Sequence, residues 1–420
     1  MKIVLPAKVG LDQDRLGRVS TWLEQQVIKQ RVAGASLLLC RRGQPAFFAA
    51  VGASDIETGR VFSEDTIVRI FSMTKPITTV AAMMLYEQGC FQLDHPVSRY
   101  LPAFADTPVW SGGDITATVA QQTPMTIRQL MTHTAGLTYG FMQQNVIDAE
   151  YRGRGLEQRR SVKLADWVDS LADIPLLCQP GSQWNYSVAT DVLGRLVEIW
   201  SGLSLAEFFR AHICGPLGMV DTGFSVPADQ TSRFAALYGP SSGQTMASVA
   251  AGGVSHEDRM GGLRLIESAD DSDYLKPPEF FSGGGGLVST MSDYARFCQM
   301  LMNRGELDGT RLLSGKTVEF MRLNQLPNNG DMASMGQPVW SETSYEGIGF
   351  GIGWAVVLDP VKAHIIASVG EHHWGGAAST FFWLDPEEEL FVIFLTQLIP
   401  SSTYPIRREL RSRIYQALVN

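Results

Sequence analysis

Between residues 11 and 30 the apolar positions Leu16, Val19, Leu23 and Val27 form one stripe at helical spacing, which predicts an amphipathic helix. Two mostly apolar runs follow, 35–41 and 46–51. They are broken at Arg42-Gly43-Gln44 and read as an antiparallel hairpin. From Ser72 onward Ile77, Val80, Ala81, Met84 and Leu85 recur at helical spacing, and Gly89 supplies a stop. From about residue 90 to 280 the texture changes. Helical segments at 126–133, 164–171, 189–200 and 205–212 are separated by long loops containing Gly, Pro and Ser. Within this region the polar tract 225–278 has weak periodicity and reads as an irregular insertion or lid.

After Gly283–Gly286 the first texture returns. A helix is expected at 291–302, strands at 350–358, 365–369, 380–384 and 390–396, and a closing amphipathic helix at 406–418. Strands from both ends of the chain, flanked by terminal helices, imply an α/β fold of the α+β type. Residues 1–89 and 283–420 would form a domain with a central antiparallel sheet, interrupted by a mostly helical domain, 90–282. Ser72 then falls at the domain junction, a usual place for a pocket.

Composition narrows the partners. A chain of 420 residues, 45% hydrophobic, can bury a large core. Its net charge of −9 argues against nucleic acid or another polyanion. No apolar run reaches membrane-spanning length, so no membrane association is expected. The start, Met-Lys-Ile-Val-Leu-Pro-Ala, has too short an apolar run for a secretory signal. The cysteines at 40, 90, 178, 214 and 298 are scattered, without a Cys-x-x-Cys pair, and read as buried reduced thiols. Together these features point to a cytoplasmic protein. The seven histidines, including adjacent His372 and His373, lack zinc-ligand spacing. Neither a metal nor another cofactor is expected.

Three stretches carry candidate chemistry. Ser72-Met-Thr-Lys75 places a hydroxyl and an amine one helical turn apart, at a helix start where unpaired N–H groups favour developing negative charge. It is the only Ser-x-x-Lys in a chain with eight lysines. By itself the pair reads equally as an N-capping serine followed by a solvated lysine. Tyr186 precedes a strong helix and reads alone as a core tyrosine. Beside a lysine cation, though, its phenolate would be favoured. In Trp374-Gly375-Gly376-Ala377 paired glycines leave room for a substrate along the strand, and the next N–H could donate to an oxyanion. Alone, this reads as a turn between strands. A fourth stretch, Gly239-Pro-Ser-Ser-Gly243, matches the Gly-x-Ser-x-Gly nucleophile elbow, but Ser241 lies in the irregular insertion without the strand-to-helix turn the elbow needs.

Taken together, the chain resembles the serine β-lactamase/penicillin-binding superfamily, in its class C-like branch and especially the family VIII carboxylesterases. The resemblance runs through Phe71-Ser-Met-Thr-Lys-Pro-Ile77, Ile127-Arg-Gln-Leu-Met-Thr-His-Thr-Ala-Gly-Leu137, Pro180-Gly-Ser-Gln-Trp-Asn-Tyr-Ser187, Gly286-Leu-Val-Ser-Thr-Met-Ser-Asp-Tyr294 and Gly349-Phe-Gly-Ile-Gly-Trp354. It implies that Ser72 is the acyl-accepting nucleophile, Lys75 its proton partner and Tyr186 the group that helps move the proton to the leaving group. The backbone N–H groups of Ser72 and Ala377 would form the oxyanion hole, with Trp374, Gly375 and Gly376 binding substrate. Thr132–Leu137 would be structural.

Two departures bear on the substrate. Class C β-lactamases typically carry Tyr-x-Asn and Lys-Thr-Gly, where this chain has Tyr186-Ser187-Val188 and Trp374-Gly375-Gly376. An amide and a cation are lost, and an apolar wall is gained. The expected activity is hydrolysis of small, short-chain carboxylic esters through a Ser72 acyl-enzyme, with weak β-lactam hydrolysis on the side. An acyltransferase or a β-lactamase on the same fold is the alternative within enzymes. A catalytically silent binding protein is the alternative outside them, and retention of Ser72, Lys75 and Tyr186 together argues against it.

Overall fold

The computed structural model describes residues 1–156, 161–246, 248, 261–336 and 345–419. Helix α1 (Gln13–Ile28) starts at Asp12, whose carboxylate accepts the Arg15 N–H at 2.9 Å. Strands β1 (Gly34–Arg41) and β2 (Gln44–Asp55) form the expected hairpin. Its two-residue turn, Arg42-Gly43, has positive φ at both positions (52° and 70°), matching the twist of the strands it joins. The short strand β3 (Arg60–Val61) follows at one edge.

The sheet is completed from the far end of the chain by β4 (Ile348–Phe350), β5 (Ala355–Val357), β6 (His372–Gly375), β7 (Phe381–Asp385) and β8 (Leu390–Thr396). The order is β4-β5-β6-β7-β8-β1-β2-β3, eight strands with every neighbour antiparallel. β8 against β1 is the seam between chain ends, from Ala35 opposite Thr396 to Arg41 opposite Leu390.

Alternation along β1 shows why its whole length is apolar. Leu37 and Leu39 face α1 and the C-terminal helix, packing with Leu16, Leu23, Leu410 and Ile414. Leu38 and Cys40 face the opposite way. That second core runs without a break into α2 (Thr74–Glu87), α3 (Ala189–Ser201), α4 (Met291–Met302) and the other helices between the two halves of the sheet. The C-terminal helix, α5, spans Ile406–Tyr415. No helix among the described residues is long and apolar enough to cross a membrane.

Several expectations need correction. Residues 350–358 are two strands, because Gly351–Trp354 turns the chain; Gly353, at φ 95°, takes a conformation closed to most side chains. Residues 365–369 form no strand: Ile366 and Val369 are exposed and the segment joins no ladder, so its apolar letters misled. The tract 225–278 is more ordered than expected, carrying an antiparallel pair, Leu237–Pro240 with Leu263–Glu267. Positions 247 and 249–260 of that tract lie outside the described residues. Four of the cysteines are buried free thiols, and Cys90 is half-buried.

Candidate active site

Ser72 sits in a single 3-10 turn, Phe71–Met73, and α-helix begins only at Thr74. The turn follows from Phe71, which is held at φ 42°, a left-handed conformation that is costly for an aromatic residue, on the order of 1–3 kcal/mol. Lys75 is 1% exposed. Burying an ammonium requires that its three N–H groups be satisfied, and its Nζ donates to Ser72 Oγ at 3.3 Å, Tyr139 Oη at 3.0 Å and the Gly284 carbonyl at 2.7 Å.

The Gly284 carbonyl is aimed by Asp191, buried in the first turn of α3. Asp191 Oδ1 accepts the Gly284 N–H at 3.0 Å and the Ser282 hydroxyl at 2.6 Å. A Cβ on Gly284 would lie 2.7 Å from Asp191 Oδ2, which accounts for a glycine at that position.

Tyr186 arrives from a different part of the chain. Its segment is zipped against 133–138: the Asn185 N–H donates to the His133 carbonyl at 2.8 Å and the Val188 N–H to the Thr138 carbonyl at 3.2 Å. The phenol donates to Ser72 Oγ at 2.6 Å, and Lys75 Nζ lies 4.6 Å from its ring centre. Burial is the main influence on this phenol and pushes its pKa up; the Ser72 hydrogen bond and the Arg407 charge act the other way but do not offset it. The sequence-based expectation of a favoured phenolate is thereby reversed, and Tyr186 rests as a neutral hydrogen-bond donor. His133 packs edge-on, 5.1 Å between rings. Burial, reinforced by the Lys75 charge, keeps its imidazole neutral.

The strand side is formed by β6 and the turn after it. Trp374 packs its ring 5.4 Å from that of Tyr186 and edge-on against Phe350, and is 7% exposed. Gly375 and Gly376 follow, but room for substrate is not what they leave. A Cβ on Gly376 would collide with the Ile70 carbonyl and Thr380 Oγ1, and one on Gly375 with the Arg407 guanidinium. The glycines let the protein's own atoms close in, and they seat the strand end against Ile70, two residues before Ser72. Neither the Ser72 nor the Ala377 N–H is bonded to an acceptor among the described residues.

The structure thus brings Ser72, Lys75 and Tyr186 into one hydrogen-bonded group and sets Trp374–Ala377 beside it. Ser241 stands elsewhere: it is exposed in the turn after Pro240, between antiparallel strands, with its N–H donating to the Gly262 carbonyl at 2.8 Å. Sequence reasoning missed Tyr139, Asp191 and Arg407. Tyr139 lay two residues beyond a stretch already singled out, and a carboxylate in the first turn of an apolar helix was the available signal for Asp191. Nothing local marked Arg407.

Known proteins share this architecture. The chain is 34% identical over 375 residues to Uncharacterized protein MT1414 of Mycobacterium tuberculosis, covering 88% of this chain and 86% of the relative. It is 31% identical over 415 residues to Esterase EstB of Burkholderia gladioli, covering 98% of each. Among solved structures, EstCE1, described as a hydrolase with promiscuous acyltransferase activity, superposes with a TM-score of 0.76 at 28% identity, over 96% of this chain and 99% of that one. The Beta-lactamase family matches residues 19–415, nearly the whole length over which the sheet, the helices and the Ser72 group are laid out, and the chain belongs to that family.

Proposed function

We propose that this protein is a serine carboxylesterase of the family VIII type, with Ser72-x-x-Lys75 as its nucleophile motif, that hydrolyses small, short-chain esters. The observation that carries this reading is the convergence of Tyr186 Oη and Lys75 Nζ on Ser72 Oγ, at 2.6 and 3.3 Å. A serine hydroxyl is a weak nucleophile until a neighbour can take its proton. In the reacting form Lys75 is the neutral amine: Ser72 Oγ attacks the ester carbonyl carbon, its proton passes to Lys75 Nζ, and the carbonyl π pair moves onto oxygen. The N–H groups of Ser72 and Ala377 meet that oxyanion. Collapse expels the alkoxide, which takes a proton from Tyr186 while Tyr186 regains one from Lys75, leaving an acyl-Ser72 ester and the pair in its starting state. Water repeats the sequence and releases the acid.

The site would lie where the α/β domain (1–89 and 283–420) meets the helical domain (90–282). Buried free thiols support a cytoplasmic setting. Acyl transfer is the second reading: an alcohol in place of water at the acyl-enzyme gives a new ester by the same steps, and EstCE1 is described as doing both.

The test is covalent labelling with a p-nitrophenyl alkylphosphonate, followed by peptide mapping. Ser72 should carry the adduct. Ser72→Ala should lose ester turnover by at least about ten-thousandfold while keeping its thermal midpoint, and Ser241→Ala should stay within about twofold. Label on Ser241, or full activity in Ser72→Ala, defeats the reading.

A further inference from the structure

Arg407 lies in the first turn of α5, 31 residues beyond Gly376, whose carbonyl it reaches. Its Nη2 donates to the Gly376 carbonyl at 3.3 Å and to the Thr380 carbonyl at 3.4 Å. Its guanidinium carbon is 4.9 Å from the centre of the Phe381 ring, and a side chain on Gly375 would displace it. The Thr380 carbonyl also accepts the Gly376 N–H at 2.9 Å, and the Ala377 carbonyl accepts the Ser401 N–H at 2.8 Å. Every main-chain carbonyl named here is held, while the Ala377 N–H points to no acceptor among the described residues.

The Gly376 carbonyl and the Ala377 N–H belong to one rigid peptide plane. We infer that Arg407 is a positioning residue for the oxyanion hole: by donating to the Gly376 carbonyl it fixes that plane and polarises it, so that the Ala377 N–H meets the oxyanion as a stronger, pre-aimed donor. The inference rests on the reading of Ser72 as nucleophile. A charged donor on a carbonyl draws density through the amide and strengthens the hydrogen bond its N–H can give. An oxyanion donor helps only if it need not reorient as charge develops. Within the turn the Ser379 N–H holds the Gly376 carbonyl at 3.1 Å, and Arg407 adds to it a charged donor from outside. The Arg407 charge also acts to lower the pKa of the Tyr186 phenol, against the larger effect of burial. A lysine at 374 would bring a cation from the strand itself. Here the cation comes from behind the strand, through α5.

The experiment measures kcat and KM for a neutral short-chain nitrophenyl ester and for a matching ester with a free carboxylate on its acyl chain. Phosphonate labelling rates are measured in the same enzymes. Arg407→Lys, which keeps a charge but loses the planar fork, should lower kcat about tenfold on both esters with KM within about threefold. Arg407→Ala should lower it about a hundredfold, with part of the loss restored by millimolar ethylguanidinium. If Arg407→Ala does not fold, Arg407→Lys decides alone. A loss confined to KM of the anionic ester would make Arg407 a substrate-carboxylate binder and overturn the inference, as would unchanged kcat. Failure of the wild-type enzyme to label at Ser72 would instead remove the nucleophile reading beneath it.

Discussion

On the helical side of the site, Ser72 and Lys75 lie one turn apart on continuous chain, and the groups that hold them are hydrogen-bonding neighbours with little net charge to spare: Tyr139, the Gly284 carbonyl and Tyr186. On the strand side the supports are ionic and come from α5. Arg407 clamps the turn after β6, and behind the strand Arg411 Nη2 meets Glu371 Oε1 at 2.6 Å. The Tyr415 hydroxyl reaches both Glu371 Oε2 at 2.9 Å and Asp385 Oδ2 at 2.6 Å, while His373 Nδ1 lies 3.2 Å from Glu371. The difference teaches how the work divides. Proton transfer needs groups whose charge can change, so their direct partners are neutral dipoles, and the Asp191 carboxylate acts at one remove, through the Gly284 N–H. Transition-state charge needs donors that do not move, so the backbone bearing them is pinned by fixed charge.

The sharpest way to break this comparison is to remove the proton carriers. Lys75→Ala and Tyr186→Phe should each lower kcat by about 10²–10⁴ while changing KM little, because the proposed mechanism uses both groups in proton transfer rather than in holding substrate. Neither loss should add to that of Ser72→Ala. A Tyr186→Phe enzyme with near wild-type kcat would move proton transfer elsewhere and leave the helical side a scaffold.

The strand side is tested by substrate choice. A β-lactam acid needs its carboxylate and its side-chain amide held, and losing those contacts costs on the order of 1.5–3 and about 1 kcal/mol respectively. A short neutral nitrophenyl ester should therefore show kcat/KM at least about a hundredfold above that for any cephalosporin. Trp374→Lys should narrow the gap, mostly by weakening the ester reaction. Equal values in the wild-type enzyme would show that this wall does not select.

The smallest effect concerns stability. Burial, helped by the Arg322 charge, holds His372 down at about 3, and burial with the Arg411 charge holds His373 at about 4. Burial by itself would raise Glu371, but Arg411 and His373 outweigh it and hold the carboxyl at about 2. In the unfolded chain these groups take protons nearer 6.5 and 4.5. The unfolded state thus binds more protons as pH falls, and stability must fall with it. The thermal midpoint should drop by a few degrees between pH 7.5 and 5 as the histidines are penalised, and drop again below pH 4.5 as Glu371 loses its advantage. His373→Gln should flatten the first drop. A midpoint level from pH 7.5 to 5 would show that β6 is not held by these buried groups.

Much of this protein was legible in its letters. The stripe on α1, the α2 helix, the strand at β8 and the hairpin at Arg42-Gly43 follow from local periodicity and turn chemistry, and such signals survive in any tertiary setting that buries one face. Ser72 and Lys75 were readable because a helical turn sets their separation without help from the rest of the chain. The reading failed where the same letters serve two geometries. Gly349-Phe-Gly-Ile-Gly-Trp354 looks like the start of a strand, yet it turns at Gly353. Residues 365–369 look like a strand, but they join no ladder among the described residues, and Ile366 and Val369 are exposed.

What only the tertiary structure decided is the state and support of the site. Tyr186 looked ready to be a phenolate beside a cation, but desolvation, which no pattern of letters reports, outweighs that attraction. Gly375 and Gly376 looked like space for substrate, and the space is taken by Arg407, Ile70 and Thr380. Asp191 acts through the Gly284 N–H and Arg407 through the Gly376 carbonyl, contacts set by how α3 and α5 pack. Sequence determines separation along the chain, and so it determined the spacing of Ser72 and Lys75, the proposed nucleophile and its amine. Burial and long-range contact are properties of the packed molecule, and they decided how Tyr186 and Lys75 meet Ser72 and how the Gly376–Ala377 peptide is held.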